Sequence, residues 1–480
     1  MMKRLVFLLL IILCFFLLLD RFKEPPPLAN SWLTTGDEQH LLEKQPSKLF
    51  QDDKQNIPTI TIDKHKTYQQ MEGFGAAMTG SSAYLLEHKL TAKERDLLFQ
   101  DLFTDSGIHL SYLRHTIGAS DYSVDDAGNP SSYTYADQQG PAEDPLQHFS
   151  TAPDQTVMNM LKQAKISNPE LRLMGTPWTA PPWLKYGEHT FNGSYLNYTE
   201  QRTYEIYANY FIRYLKAYQA EGIAIDLLSV QNEPQFETAA YPSMSMGAAE
   251  QQYFIQNFLG PAIKDAGLDT AILAYDHNWE NSKDYAETVL NGALDYTAGT
   301  AYHCYAGNPG DTEEIHLLHP DKGIYFTECS GGAWSEDFGD NLSWLMDQVI
   351  IGTTRNWAKT VLLWNLALDE TGGPTNGGCT NCRGVVTVDS QTGSIKKNVE
   401  YYALGHISKF VQPGAKRISS TQLPQIATVA FYDASKGETI LLAANSTNSS
   451  QTFQLSEGKH YLQYTLPPQS AITFTWKDEA

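Results

Sequence analysis

The sequence predicts an α/β fold: a (β/α)8 TIM barrel with an appended antiparallel β-sandwich built mainly from the C-terminus. Three observations point there. Eight short apolar runs alternate with amphipathic stretches of helical length between residues 70 and 395, the count and spacing of a barrel. Beyond residue 395 the helical patterns are expected to stop, and short alternating runs divided by turn residues take over, as in a sandwich. The chain has 480 residues, 42% hydrophobic and 19% charged, which supplies one large barrel and a smaller appendage and excludes a wholly disordered chain.

In chain order, Lys3 and Arg4 precede an apolar run over residues 5–19. A basic start with a run of that length reads as a secretory leader and falls short of the roughly 20 residues that span a bilayer. The charged flank Asp20, Arg21, Lys23, Glu24, with no small-residue cleavage site before Ala29, leaves a cleaved leader and a retained anchor both open. Residues 1–29 are therefore leader or signal anchor, and the protein is expected to be secreted or extracytoplasmic, with membrane contact at most through that segment. Residues 20–56, polar and Pro-rich, read as a linker.

The barrel occupies residues 70–395. Its strands are expected over 70–79, 108–116, 171–177, 225–233, 270–277, 299–305, 323–328 and 359–366, apolar throughout, as suits a parallel sheet buried on both faces. Helical patterns fall over 91–103, 154–167, 199–220 and 248–266, with weaker ones at 282–290, 312–318 and 340–356. The sandwich occupies 396–480, with alternating runs at 428–432, 438–444, 451–455 and 471–476. Gly73-Phe74-Gly75 opens like a dinucleotide fingerprint, but Met78 stands where the third glycine belongs and no acidic residue follows at the right distance.

Of five cysteines, Cys14 lies in the leader. Cys379 and Cys382 form one C-x-x-C in a Gly- and Asn-rich loop; with no second ligand pair for zinc, a short-loop disulfide is the favoured reading. Cys304 and Cys329, in or beside apolar strands, read as buried small hydrophobes. The histidines are scattered and no H-E-x-x-H or calcium-loop pattern occurs, so no metal or organic cofactor is expected. Five Asn-x-Ser/Thr triplets begin at Asn192, Asn197, Asn341, Asn445 and Asn448 and matter only in a eukaryotic secretory host.

The net charge of −21 argues against nucleic acid or anionic lipid as main partner. The 12% aromatic content offers flat faces for sugar rings. In a barrel, function gathers at the C-terminal ends of the strands, and two carboxylates sit there. The fourth run ends in Gln231-Asn232-Glu233-Pro234, the seventh in Thr327-Glu328-Cys329. Paired carboxylates are what glycoside hydrolysis requires. One must be neutral to protonate the leaving oxygen and the other ionised; Glu328 is expected to be the ionised one, favoured by a cation such as Arg114.

At these residues the chain resembles glycoside hydrolase family 30, which includes glucosylceramidases and β-1,6-glucanases. The resemblance rests on Met71-Glu72-Gly73-Phe74-Gly75-Ala76-Ala77, on the run from Leu113 to Ser123, and on Thr176-Pro177-Trp178-Thr179-Ala180-Pro181-Pro182-Trp183. It extends through Gln231-Asn232-Glu233-Pro234 and Phe326-Thr327-Glu328 to the run from Leu363 to Asp369. It implies a retaining double displacement with Glu233 as acid/base and Glu328 as nucleophile. It also implies a sandwich built from both chain ends, so that 30–69 combines linker and an N-terminal strand contribution.

By position in the matching motifs, Arg114, Asp121, Trp178, Asn232, His303 and Trp364 would line the glycone pocket, with Tyr305 and Trp334 as weaker candidates on the aglycone side. The cysteine-bearing loop 372–379 looks more like microbial members, favouring an extracellular β-glucan over a glucosylceramide-type β-glucoside. The alternative is a catalytically silent carbohydrate-binding protein on the same scaffold. For the enzyme, Glu233 is expected to titrate above Glu328.

Overall fold

The computed structural model describes residues 26–187, 190–280 and 282–478; the leader or anchor expected at 5–19, with Cys14, lies outside them. Eight parallel strands close a barrel in chain order: Gly73–Ala77, Tyr112–Thr116, Arg172–Thr176, Leu227–Ser229, Ala271–Asn278, Thr297–His303, Gly323–Glu328 and Ala358–Asn365, the eighth pairing back onto the first. Helices Ala92–Phe103, Gln155–Ser167, Thr203–Ala220 and Ser282–Ala293 are among those that pack outside it. The first of these opens on a capping box, Thr91 and Glu94 each bonding the other's backbone N–H.

Side chains alternate along a strand, so every second residue faces the barrel interior. Tyr112, Met174, Leu227, Leu273, Ala301, Tyr325 and Leu362, one from each of strands two to eight, bury together as an apolar layer. Two residues further along, the interior turns polar: Arg114, Thr176, Ser229, His303 and Thr327. Strand five breaks this count. Tyr275 and Asp276 take left-handed φ values of 72° and 74°, and the register with strand six shifts between Tyr275 and His277. That bulge turns Asp276, three residues past Leu273, into the polar layer, where it meets Ser229, Thr327 and Arg114. The site is thus laid down by strand register on a packed apolar floor.

The sandwich is one nine-stranded sheet folded around a core that includes Leu33, Phe50, Ile60, Phe453, Phe474 and Trp476. Strand Leu28–Thr35 lies between Glu43–Leu49 and Ser470–Lys477. Thr59–Gln70 pairs antiparallel with Lys416–Ser420 and parallel with Gln451–Glu457. The expectation of a linker over 20–56 is therefore corrected. Its Asn, Ser and Thr residues disguise a strand whose neighbour is more than 430 residues away, and whose Ala29, Ser31 and Leu33 are buried.

A second correction concerns residues after 395, where helix Val399–Ser408 continues the barrel before the sandwich strands resume. Nearly all its residues are buried between barrel and sandwich, so it carries no polar stripe to mark its period. His406 on this helix accepts from Thr34 Oγ1 at Nε2 (2.8 Å) and donates from Nδ1 to Thr473 Oγ1 (2.9 Å), whose own proton goes to the His406 carbonyl. One imidazole therefore ties the barrel's last helix to strands from both ends of the chain.

Candidate active site

A cavity of about 290 Å³ opens at the C-terminal mouth of the barrel, lined by Asp121, Trp178, Asn232, Glu233, Tyr241, Tyr305, Glu328, Ser330, Trp334 and Trp364. A cavity of equal volume lies at the N-terminal ends of strands seven and eight, where Asp321 is the one carboxylate among Lys322 and Lys359. The mouth is the end that carries chemistry in this fold, and it alone of the two holds a carboxylate pair.

Glu328 ends strand seven. Glu233 lies in the loop after strand four, at a left-handed φ of 44°, with its N–H donating to the Asp276 carbonyl (2.9 Å). A strained glutamate pinned by a neighbouring strand is a built feature, since such a conformation costs on the order of 1–3 kcal/mol. Arg114, fully buried, donates to Glu328 Oε2, to Asn232 Oδ1 (2.7 Å) and to Asp276 Oδ2 (3.1 Å). Its guanidinium also lies 5.1 Å from the Trp178 ring and 5.4 Å from that of Trp364. Tyr305 donates to Glu328 Oε1 (2.8 Å).

His303, also fully buried, reaches both carboxylates: Nδ1 is 3.1 Å from Glu233 Oε1, and Nε2 is 4.0 Å from Glu328 Oε2 and 3.1 Å from Asp276 Oδ1. His277 Nδ1 stands 3.5 Å from the same Glu233 oxygen. Arg114 and His303, expected on the wall of the sugar pocket, thus sit behind it, holding the carboxylates. Asp121, Trp178, Asn232 and Trp364 do line the wall, but the two indoles stack on each other at 5.1 Å and do not stand as separate platforms. The exposed rings at the lip are Tyr305 and Trp334, at 46% and 58% exposure.

Electrostatics correct one expectation. Burial would push the Glu233 carboxyl up, but the hydrogen bonds and charge of His277 and His303 outweigh it and hold the group at about 2. Burial likewise opposes a charged His303, yet the Glu328 charge and the bonds to Asp276 and Glu233 raise it to about 9. In the free site the proton therefore rests on the imidazole, and Glu233 is ionised; it does not titrate high. Asp276, despite burial, is held far below the carboxylate range by Arg114 and His303.

Asp121 goes the other way. Burial and the Glu328 charge raise it well above its ordinary value, and its Oδ1 has no hydrogen-bond partner. The loop after strand eight presses on it: a Cβ at Gly378 would fall 2.8 Å from Asp121 Oδ2, so only glycine allows this approach. Cys379 and Cys382 close that loop with a disulfide. Cys304 and Cys329, read as free buried hydrophobes, also form a disulfide, with Cα atoms 5.3 Å apart. The misreading has a plain cause, since 25 residues separate them and only strand pairing brings them together. This bridge joins the residues next to His303 and Glu328.

The glycosyl hydrolase family 30 TIM-barrel domain matches residues 71–411, and the beta sandwich domain of the same family matches 414–474. The chain belongs to glycosyl hydrolase family 30. It is 37% identical to an endo-1,6-beta-D-glucanase of Aspergillus fumigatus over 386 residues, 74% of each chain. It is 28% identical to the lysosomal acid glucosylceramidase of Mus musculus over 445 residues, 87% of this chain and 83% of that one. The solved structure of an endo-β1,6-glucanase superposes with a TM-score of 0.84 at 33% identity, covering 94% of this chain and 99% of the other. As a family 30 member the chain is a glycoside hydrolase acting on a carbohydrate, and both carboxylates are in place in its barrel mouth.

The sequence reading missed Asp276, His277, Tyr241 and Ser330. The last two follow motifs already singled out. Asp276 and His277 carried a faint signal, two adjacent polar residues ending an apolar strand, which only the bulge converts into two groups aimed at one site.

Proposed function

We propose that the chain hydrolyses β-glucosidic bonds with retention, Glu233 serving as acid/base and Glu328 as nucleophile. The observation that carries this reading is the single cavity lined by both glutamates, with Arg114 bonded to one and His303 in reach of both. Arg114 donates to Glu328 Oε2 and holds that oxygen in place. Oε1, bonded by the half-exposed Tyr305, is the oxygen assigned to attack C1 of the sugar. The leaving oxygen takes its proton from Glu233, which His303 supplies as the substrate displaces bulk water. Water then cleaves the glycosyl–Glu328 ester with Glu233 accepting the proton, the two carboxyls exchanging no other role. Asp121 Oδ1 and Asn232 accept and donate to sugar hydroxyls.

The substrate assigned is a β-1,6-glucan, supported by the identity to the fungal endo-1,6-beta-D-glucanase and by the cysteine-closed loop; a glucosylceramide-type β-glucoside is the second reading, supported by the murine relative. Two disulfides support an oxidising, extracytoplasmic setting. The test is release of reducing sugar from β-1,6-glucan and from glucosylceramide. Glu328→Gln and Glu233→Gln should each lose about 10²–10⁴-fold in kcat/KM, and NMR should find the β-anomer as first product. An α-anomer as first product, or full activity in Glu328→Gln, overturns the assignment.

A further inference from the structure

Three of the groups around the acid/base are transition-metal ligands by chemistry: the Glu233 carboxylate and one ring nitrogen each of His277 and His303, all within 4.8 Å of one another. They come from three successive strand ends, four, five and six, so no sequence motif announces them. We propose that these three side chains form a binding site for zinc, and that zinc bound there blocks hydrolysis reversibly by taking the acid/base carboxylate. The blocking half rests on the function proposed above; the binding half does not.

The distances fit. Bonds of about 2.0–2.1 Å in a tetrahedron set ligand atoms roughly 3.3 Å apart, and Glu233 Oε1 stands 3.1 Å from His303 Nδ1 and 3.5 Å from His277 Nδ1. Two imidazole nitrogens and one carboxylate suit zinc, whereas calcium and magnesium want oxygen alone. The outer shell is built as well: His303 Nε2 lies 3.1 Å from Asp276 Oδ1, itself fixed by Arg114, Ser229 and Thr327. A carboxylate behind a metal-bound histidine fixes its tautomer and leaves Nδ1 free to ligate. Glu233 also lines the cavity at the barrel mouth, so water or a sugar oxygen is at hand as a fourth ligand. Zinc takes His303 Nδ1 in place of its proton, which passes to solvent.

The full chain, stripped by chelator, is dialysed against zinc chloride, and cobalt chloride is titrated in parallel for its visible absorption. One saturable zinc per chain, a cobalt spectrum of tetrahedral intensity, and inhibition of β-glucoside hydrolysis that chelator reverses are expected. His277→Gln, folded by circular dichroism, should weaken zinc binding roughly tenfold or more, as should Glu233→Gln, whose binding is read by dialysis alone. No stoichiometric binding, or binding unchanged in both variants, overturns the site. Stoichiometric binding without loss of hydrolysis keeps the site and sinks the assignment of Glu233 as acid/base.

Discussion

Asp121 shows how a single residue can be kept at a cost. Its Oδ1 is buried without a donor and its carboxyl is pushed up by burial and by Glu328, which weakens the fold; the sugar contact proposed for it is what would offset that loss. Asp121→Ala should lower kcat/KM by about 10- to 150-fold, the worth of one charged hydrogen bond of ~1.5–3 kcal/mol, while the melting temperature stays level or rises. A fall in melting temperature without loss of kcat/KM would make it structural. At this scale the sequence was informative where a side chain ends a strand, as with Glu328, and silent where backbone geometry redirects one. Asp276 and His277 face the same site only because two left-handed residues offset strand five, and no periodicity reveals that.

Among elements, the strands lining the mouth are joined in a way that pairing alone does not supply. The Cys304–Cys329 bridge ties the tips of strands six and seven, one residue beyond His303 and Glu328. Closing a 25-residue separation is worth about 3.5 kcal/mol in the chain-entropy account. Cys304→Ala with Cys329→Ala should therefore lower the urea midpoint and also reduce kcat, whereas replacing Cys379 and Cys382, only three residues apart, should affect stability less. Equal stability losses for the two pairs would contradict this. All eight barrel strands were legible because each carries a short apolar run, with its polar residues gathered mostly toward the ends. Helix Val399–Ser408 and strand Leu28–Thr35 were not, since one is buried on every side and the other finds its partner at the far end of the chain.

For the molecule as a whole, acid is the expected weakness. His406, at the seam of barrel and sandwich, and His115, bonded to the Tyr214 hydroxyl (2.6 Å), are both pushed by burial down to about 3. The unfolded chain takes up these protons near 6.5 and the folded one does not until about 3. Their contribution is thus complete above pH ~6.5 and lost as pH falls, by about 2 kcal/mol for each by pH ~5. Asp154, bonded by Tyr133, Tyr135 and Tyr218 and raised by burial to about 6, and His303, raised to about 9, work in the opposite sense and together offset about 2 kcal/mol of that loss. Urea midpoints measured from about pH 7 to about pH 5 should fall, and His406→Gln should flatten the slope; a pH-independent midpoint would refute both assignments. The seam itself has a temporal side. Strand Leu28–Thr35 is zipped against Ser470–Lys477, so a nascent chain growing at about 5–20 residues per second leaves that first ribbon without its mate for roughly 20–90 s, and the sandwich closes only when synthesis is nearly done.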